Sequence, residues 1–185
     1  MKVQETALPG VLLIEPQVFG DSRGFFLETF SAERYEAAGV RGPFVQDNMS
    51  LSAKGIVRGM HLQHPNAQGK LVWVVQGAVL DVALDVRVGS PTFGRWVAEE
   101  LSADNKRQLW VPPGFAHGFC VTSESAVFVY KCTQYYAPKE EVGVLWNDPD
   151  LGIPWPVVEP VVSPKDRALP RLADVDRARL PRYLP

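Results

Sequence analysis

Cysteine and histidine are both scarce: two cysteines, Cys120 and Cys132, and three histidines, His61, His64 and His117, in 185 residues. Two cysteines make no disulfide scaffold, and as small apolar residues they suit a reducing compartment. The longest clean apolar run, Leu71 to Val75, has five residues, against about 18 for a membrane helix. Met1 to Glu5 lacks the apolar stretch and small-residue cleavage site of an export signal. A cytoplasmic chain with no membrane partner is expected. Basic charge is not in surplus: Lys plus Arg is 19 and Asp plus Glu is 21, for a net −2. A phosphate backbone would find little to hold, so no nucleic-acid partner is expected. Helix signals are also few. Ser31 to Gly39 reads as one short helix, with Ser31 as N-cap and Gly39 just past its end, and a weaker one spans Leu172 to Leu180.

What the chain does contain is strand, in an amount suited to one domain over residues 1–185. Hydrophobic residues at 46% and charged residues at 22% exclude disorder and coiled coil. Fifteen glycines and sixteen prolines are scattered, punctuating short runs as turns do. Leu80 to Arg87 alternates apolar and mostly polar residues, the period of a strand. With Lys70 to Gln76 before it and Gln76-Gly77 as the turn, it suggests a hairpin. Phe115 to Val121 and Ala126 to Thr133 suggest a second, around residues 122–125. Shorter strands are expected at Val11 to Glu15, Phe25 to Phe30, Gly55 to Leu62, Arg95 to Leu101 and Gln108 to Val111. The proline-rich tail from Pro154 is expected to wrap the body. Strands at this spacing without intervening helices imply an all-β fold, a jelly-roll sandwich or barrel.

The chemistry-bearing residues fall in a few strings. His61 and His64 are three apart, which on a strand sends them to opposite faces. No Asp or Glu lies between His61 and Lys70, so a metal centre lacks ligands and none is expected. His117 follows the tight turn Pro112-Pro113-Gly114. Alone it is a histidine satisfied by backbone; Tyr130 and Lys131 on the expected partner strand suggest more. Gln46, Asp47, Asn48, Ser50 and Ser52, followed by Arg58 and His61, suit either a polar cavity or a solvated sheet face. Arg23 and Glu28 flank Phe25 and Phe26, an aromatic pair of the kind usually found in cores. Lys165-Asp166, taken alone, is a solvated turn.

In this order, these strings closely resemble the dTDP-4-dehydrorhamnose 3,5-epimerase family. The matching segments include Phe19 to Phe30, Gln46 to Ser50, Gly55 to Gln63, Gln68 to Val72, Gly114 to Phe119, Tyr130 to Thr133, Tyr135 to Pro138, Trp146 to Pro149 and Ser163 to Asp166. The resemblance spans roughly Leu8 to Leu172. It implies a cupin-type jelly roll without metal or other cofactor: Pro112 to His117 has the look of the second cupin motif, while the metal-binding His-x-His of the first is missing at His61-Leu62-Gln63. It further implies inversion of C3 and C5 of dTDP-4-keto-6-deoxyglucose, a small-molecule substrate whose C–H bonds beside the C4 ketone are acidified by enolate formation. By the same resemblance His61 is the general base, Asp166 its orienting carboxylate, Tyr130 the acid on the other face, and Lys70 the cation beside the C4 oxygen. Arg23, Arg58 and Lys165 would pair with the diphosphate. Phe26, Glu28, Gln46, Asp47, Asn48, His117 and Glu141 would hold nucleotide or sugar, and Tyr136 would stack on thymine. Members are homodimers in which the segment around Arg23 to Glu28 reaches the neighbouring site. Met49, Met60 and Trp73 depart from the usual pattern without removing a proposed catalytic group. The alternatives are an epimerase acting at C3 or C5 alone, a ketoisomerase on a similar sugar, a binding protein without turnover, or a metal-dependent cupin.

Overall fold

A computed structural model describes residues 1–184, and strands carry most of their regular structure. Numbered along the chain, one sheet is ordered β1 (Lys2–Glu5), β2 (Leu12–Glu15), β10 (Gln108–Val111), β7 (Lys70–Gln76), β12 (Ser125–Cys132) and β5 (Gln46–Ala53). The facing sheet is ordered β13 (Glu141–Gly143), β6 (Ile56–Gln63), β11 (Phe115–Val121), β8 (Ala78–Asp85) and β9 (Trp96–Ser102), with β14 (Val161–Val162) also on β6. β3 (Val18–Asp21) and β4 (Gly24–Leu27) make a separate, exposed hairpin.

Neither hairpin expected from the turn chemistry forms. β7 and β8 lie in different sheets, and so do β11 and β12. The intervening turns are corners that carry the chain across the sandwich. Gly77 makes the first corner at φ +76, where a Cβ would sit 2.0 Å from the Ser125 carbonyl oxygen. A turn reverses the chain, but does not specify whether the returning strand pairs with its predecessor or faces it across the core. Here β11 is already paired on both edges, with β6 and β8. From β5 to β8 the chain switches sheets at every connection, and it does so again from β9 to β13. This is the jelly roll of the cupin type.

Three apolar layers hold it. Val72, Val74, Ala83, Leu109, Phe119, Phe128 and their neighbours fill the space between the sheets. Helix α1 (Ala32–Ala37) closes part of the β2–β10–β7 outer face through Tyr35, whose hydroxyl donates to Gln108 Oε1 at 2.8 Å. Ser31 occupies the N-cap position of α1, although its side chain makes no capping bond. The tail covers the opposite outer face, with Ile153, Leu172, Val175 and Leu180 against Met60, Leu62 and Leu84. The weak helix expected at Leu172 to Leu180 is instead two 3-10 turns, Leu172–Asp174 and Arg177–Arg179. Asp176 separates them by accepting from the Ala178 N–H at 2.9 Å. Val175 leaves the first turn in an extended conformation, φ −70 and ψ 130, and Leu172, Val175 and Leu180 are buried in the layer all the same. No described helix is long and apolar enough to cross a membrane.

Candidate active site

Two adjoining chambers of about 470 and 350 Å3 open between the sheets. His61, Lys70, Tyr130 and Lys165 line both and form the waist where they meet. The first chamber extends over Arg58, His117 and Asp166, and the second over Gln46, Asn48, Tyr136 and Glu141.

A spacing of three along a flat strand would put Arg58 and His61 on opposite faces. A β-bulge prevents it: Arg58 pairs with Phe119 and His61 with His117, so three steps on β6 oppose two on β11. Gly59 carries the bulge at φ +121, and a Cβ there would lie 2.5 Å from Gly118 Cα and 2.8 Å from the His117 carbonyl oxygen. Only glycine fits this approach. Arg58 and His61 therefore both face the cleft, while His64 lines a separate depression beside Arg87 and Pro181.

The tail supplies the partner of His61. β14 pairs in parallel with β6 and leads into α2 (Pro164–Arg167), capped by Ser163 Oγ, which accepts from the Asp166 N–H at 3.0 Å. Asp166 Oδ1 lies 2.7 Å from His61 Nε2, and the Gly59 N–H donates to Oδ2 at 3.4 Å. Burial would raise the Asp166 carboxyl, but His61, Gly59 and Ser163 outweigh it and hold the group below the usual carboxylate range. An ionised Asp166 accepts the Nε2 proton of His61 and leaves Nδ1 with its lone pair for chemistry.

The opposing wall follows from register. Tyr130 lies between Asn48 and Val72, and Cys132 between Gln46 and Lys70. Alternation turns all of these except their odd-even neighbours inward, so Tyr130, Lys70, Gln46 and Asn48 share the wall facing His61. Burial pushes the Tyr130 phenol up, aided by Cys132 and opposed by Arg58, which keeps it protonated. Burial pushes the Lys70 ammonium down, opposed by Cys132, Glu141 and Asp81. A partly desolvated ammonium gains more from an anion forming beside it than a fully solvated one does.

Two further carboxylates shape the cleft. Asp81 is fully buried and holds His117 Nε2 at 3.0 and 2.9 Å through its two oxygens. Its role was not legible from strand alternation, which would put it in water on a half-solvated strand. β8 is instead covered on both faces, and the readable signal was an aspartate inside an apolar central strand. Glu141 accepts from the Lys165 ammonium at 2.6 Å and from the Tyr136 hydroxyl at 2.7 Å, and lies 4.0 Å from His61 Nε2. Burial alone would raise its carboxyl; those two hydrogen bonds bring it below the ordinary range.

Four expected site residues lie away from these chambers. Asp47 points to the outer face of its sheet, ion-paired with Lys131 at 2.9 Å, because alternation turns it from Gln46 and Asn48. Arg23 pairs with Asp21, Glu28 with Arg34, and Phe26 stands 70% exposed, all on or beside the β3–β4 hairpin. His117 and Tyr130 do share the first chamber, but from opposing sheets rather than from one hairpin.

A family model described as dTDP-4-dehydrorhamnose 3,5-epimerase matches residues 5–174. The dTDP-4-dehydrorhamnose 3,5-epimerase of Shigella flexneri is 54% identical over 178 residues, covering 95% of this chain and 98% of that protein. The crystal structure of dTDP-6-deoxy-D-glucose-3,5-epimerase from Legionella pneumophila, in complex with dTDP-4-keto-L-rhamnose, has 52% sequence identity and a TM-score of 0.97. That superposition covers 100% of this chain and 99% of the other. The dTDP-4-dehydrorhamnose 3-epimerase of Streptomyces niveus is 39% identical over 186 residues, covering 99% of this chain and 90% of that protein.

Proposed function

The chain belongs to the dTDP-4-dehydrorhamnose 3,5-epimerase family, and on that premise we propose an isomerase whose base and acid stand on opposite walls of one cleft. It inverts C3 and C5 of dTDP-4-dehydro-6-deoxy-D-glucose to dTDP-4-dehydro-L-rhamnose, within dTDP-L-rhamnose biosynthesis. The observation that carries this reading is His61 on β6 facing Tyr130 on β12 across the waist of the cleft. Inversion requires such a pair, because a proton removed from and returned to one face regenerates the substrate.

His61 Nδ1 takes the proton from C3 or C5, and the electron pair moves onto the C4 oxygen as an enolate. Lys70 stabilises that oxygen. Tyr130 delivers a proton to the carbon from the opposite face, leaving imidazolium and phenolate. The first loses a proton to solvent and the second regains one before the next inversion. Asp166 holds the His61 ring and balances the imidazolium. Arg58 and Lys165 supply positive charge for the diphosphate, His117 and Asn48 supply polar contacts, and Tyr136 stacks on thymine. Incubation with dTDP-4-dehydro-6-deoxy-D-glucose in D2O, read by NMR, tests the reading. Deuterium at both carbons with inverted configuration is expected; label at one carbon indicates a mono-epimerase, and none indicates a binding protein.

Lys70 acts as a cation, so losing its proton ends its contribution. Burial lowers its proton affinity, so the rate falls on the alkaline side below the ordinary lysine range. Lys70→Arg, whose guanidinium stays charged, moves that limb upward even where it lowers the maximal rate. An unmoved limb removes Lys70 from the role.

The working unit is a homodimer. Phe19, Phe25 and Phe26 on the β3–β4 hairpin, with Met49 and Leu51 on edge strand β5, are each more than 60% exposed, an apolar display suited to a partner copy. Arg23, Phe26 and Glu28 then complete the neighbour's cleft. His61→Asn and the double variant Arg23→Ala/Phe26→Ala are each expected to be weakly active. Refolded together in equal amounts they recover about a quarter of wild-type activity, the statistical share of intact sites in a two-fold dimer. No recovery contradicts the exchange of hairpins. Cys120 and Cys132 are free and buried, which suits a cytoplasmic enzyme built as one catalytic domain.

A further inference from the structure

Gln63 closes β6 two residues after His61 and is 4% exposed. Its side-chain amide is fully used. Nε2 donates to the Tyr135 carbonyl at 3.1 Å and the Asn66 carbonyl at 2.6 Å, while Oε1 accepts from the Ala137 N–H at 2.8 Å. Tyr136 sits between the two residues held by this one amide. Its own N–H donates to Gln46 Oε1 at 3.0 Å. Three consecutive backbone groups in a loop without regular structure are thus held by side-chain amides, where a ladder would otherwise hold them.

We propose that Gln63 is a positioning residue for the nucleobase, fixing the loop that presents the Tyr136 ring to the cleft. This rests on the reading that Tyr136 stacks on thymine. The ring is half-exposed and is fixed at its far end by the hydroxyl, which donates to Glu141. Its backbone end is held by Gln63 and Gln46, with the neighbouring Ala137 carbonyl also accepting from the Glu140 N–H at 2.9 Å. A loop free to wander would present the same ring with an ordering penalty on binding. The two loops involved have other ties: Asn66 to Glu140 at 2.8 Å, Gln68 to the Gln134 carbonyl at 2.8 Å, and Gly69 to Thr133 Oγ1 at 2.8 Å. Changing Gln63 therefore loosens residues 135–137 without separating the loops.

The test measures dTDP affinity by calorimetry and KM against kcat for Gln63→Leu, Gln63→Glu, Tyr136→Ala and the Gln63→Leu/Tyr136→Ala pair. Gln63→Leu is expected to weaken dTDP binding and raise KM about 10-fold, with kcat within about two-fold, since the groups that lose their partners belong to the Tyr136 loop and not to His61, Lys70 or Tyr130. Gln63→Glu keeps the acceptor for the Ala137 N–H and is close in shape should the leucine variant not fold, but it turns an oxygen toward the Asn66 and Tyr135 carbonyls in place of the amide donor, so it is expected to weaken dTDP binding at least as much. With Tyr136 already removed, Gln63→Leu adds less than about two-fold, because its effect travels through that ring. A full 10-fold loss in both backgrounds overturns the proposal, as does a fall in kcat without a change in KM. If Tyr136→Ala leaves dTDP affinity unchanged, the stacking reading itself fails. If Tyr136→Ala weakens binding and neither Gln63 variant does, the positioning role alone fails.

Discussion

Replacing His61 with asparagine lowers turnover about 1,000-fold, within the range for loss of a general base, and removes deuterium wash-in at C3 and C5 together. Asparagine keeps a polar side chain, but its amide ends level with the ring's Nδ1 position, short of the Nε2 that meets Asp166, and it has no lone pair basic enough to take a carbon-bound proton. Both carbons lose exchange because one imidazole serves both inversions at the waist of the cleft. Glu141 is near enough to invite substitution for it, at 4.0 Å from the same ring. It is a poor substitute, since Lys165 and Tyr136 hold it below the ordinary carboxylate range and a stabilised carboxylate is a weak base. Affinity for dTDP stays within about three-fold, because His61 meets the sugar rather than the nucleotide. NMR exchange at saturating substrate, with dTDP calorimetry alongside, decides the matter. Near-normal exchange in the variant, or loss at one carbon only, would sink the assignment.

Tyr130→Phe separates two events that the wild-type enzyme couples. The phenyl ring retains the packing against Phe128, and only the hydroxyl is lost. Proton removal by His61 continues within about 10-fold of the wild-type rate, while completed inversion falls roughly 100- to 1,000-fold, as for loss of a positioned acid. The enolate is then reprotonated mainly from the His61 side, so substrate recovered from D2O carries label with its original configuration. Burial keeps the native phenol protonated, so the difference between wild type and variant persists from neutral to mildly alkaline pH. Equal loss of exchange and inversion would place Tyr130 in the first step, and survival of both would require another acid.

Local features carried much of the architecture. The strands β2, β6, β9 and β10 stand within a residue or two of the stretches expected from alternation and turn residues, because both signals lie in neighbouring residues. His64 does lie apart from His61, but beyond the end of β6 rather than on its opposite face. The common face of Arg58 and His61 was not legible, since it depends on Gly59 meeting Gly118 on another strand. Asp81 was missed because a strand covered on both faces breaks the rule that polar alternation marks solvent. Gln63 gave no sign at all, because all three of its partners are backbone groups and two of them, on Tyr135 and Ala137, lie 72 and 74 positions away.

By itself the sequence determined the all-β class and the family, and through that resemblance it put forward His61, Tyr130, Asp166 and Lys70 as base, acid, carboxylate and cation, because the motifs are written in contiguous residues. Only the tertiary structure decided that the two apparent hairpins are sheet-to-sheet corners, that a bulge turns Arg58 and His61 to one face, and that the tail returns Asp166 to His61 across 105 positions. Strand partners and register are chosen by burial and backbone pairing between distant segments, and no local turn or periodicity contains that information.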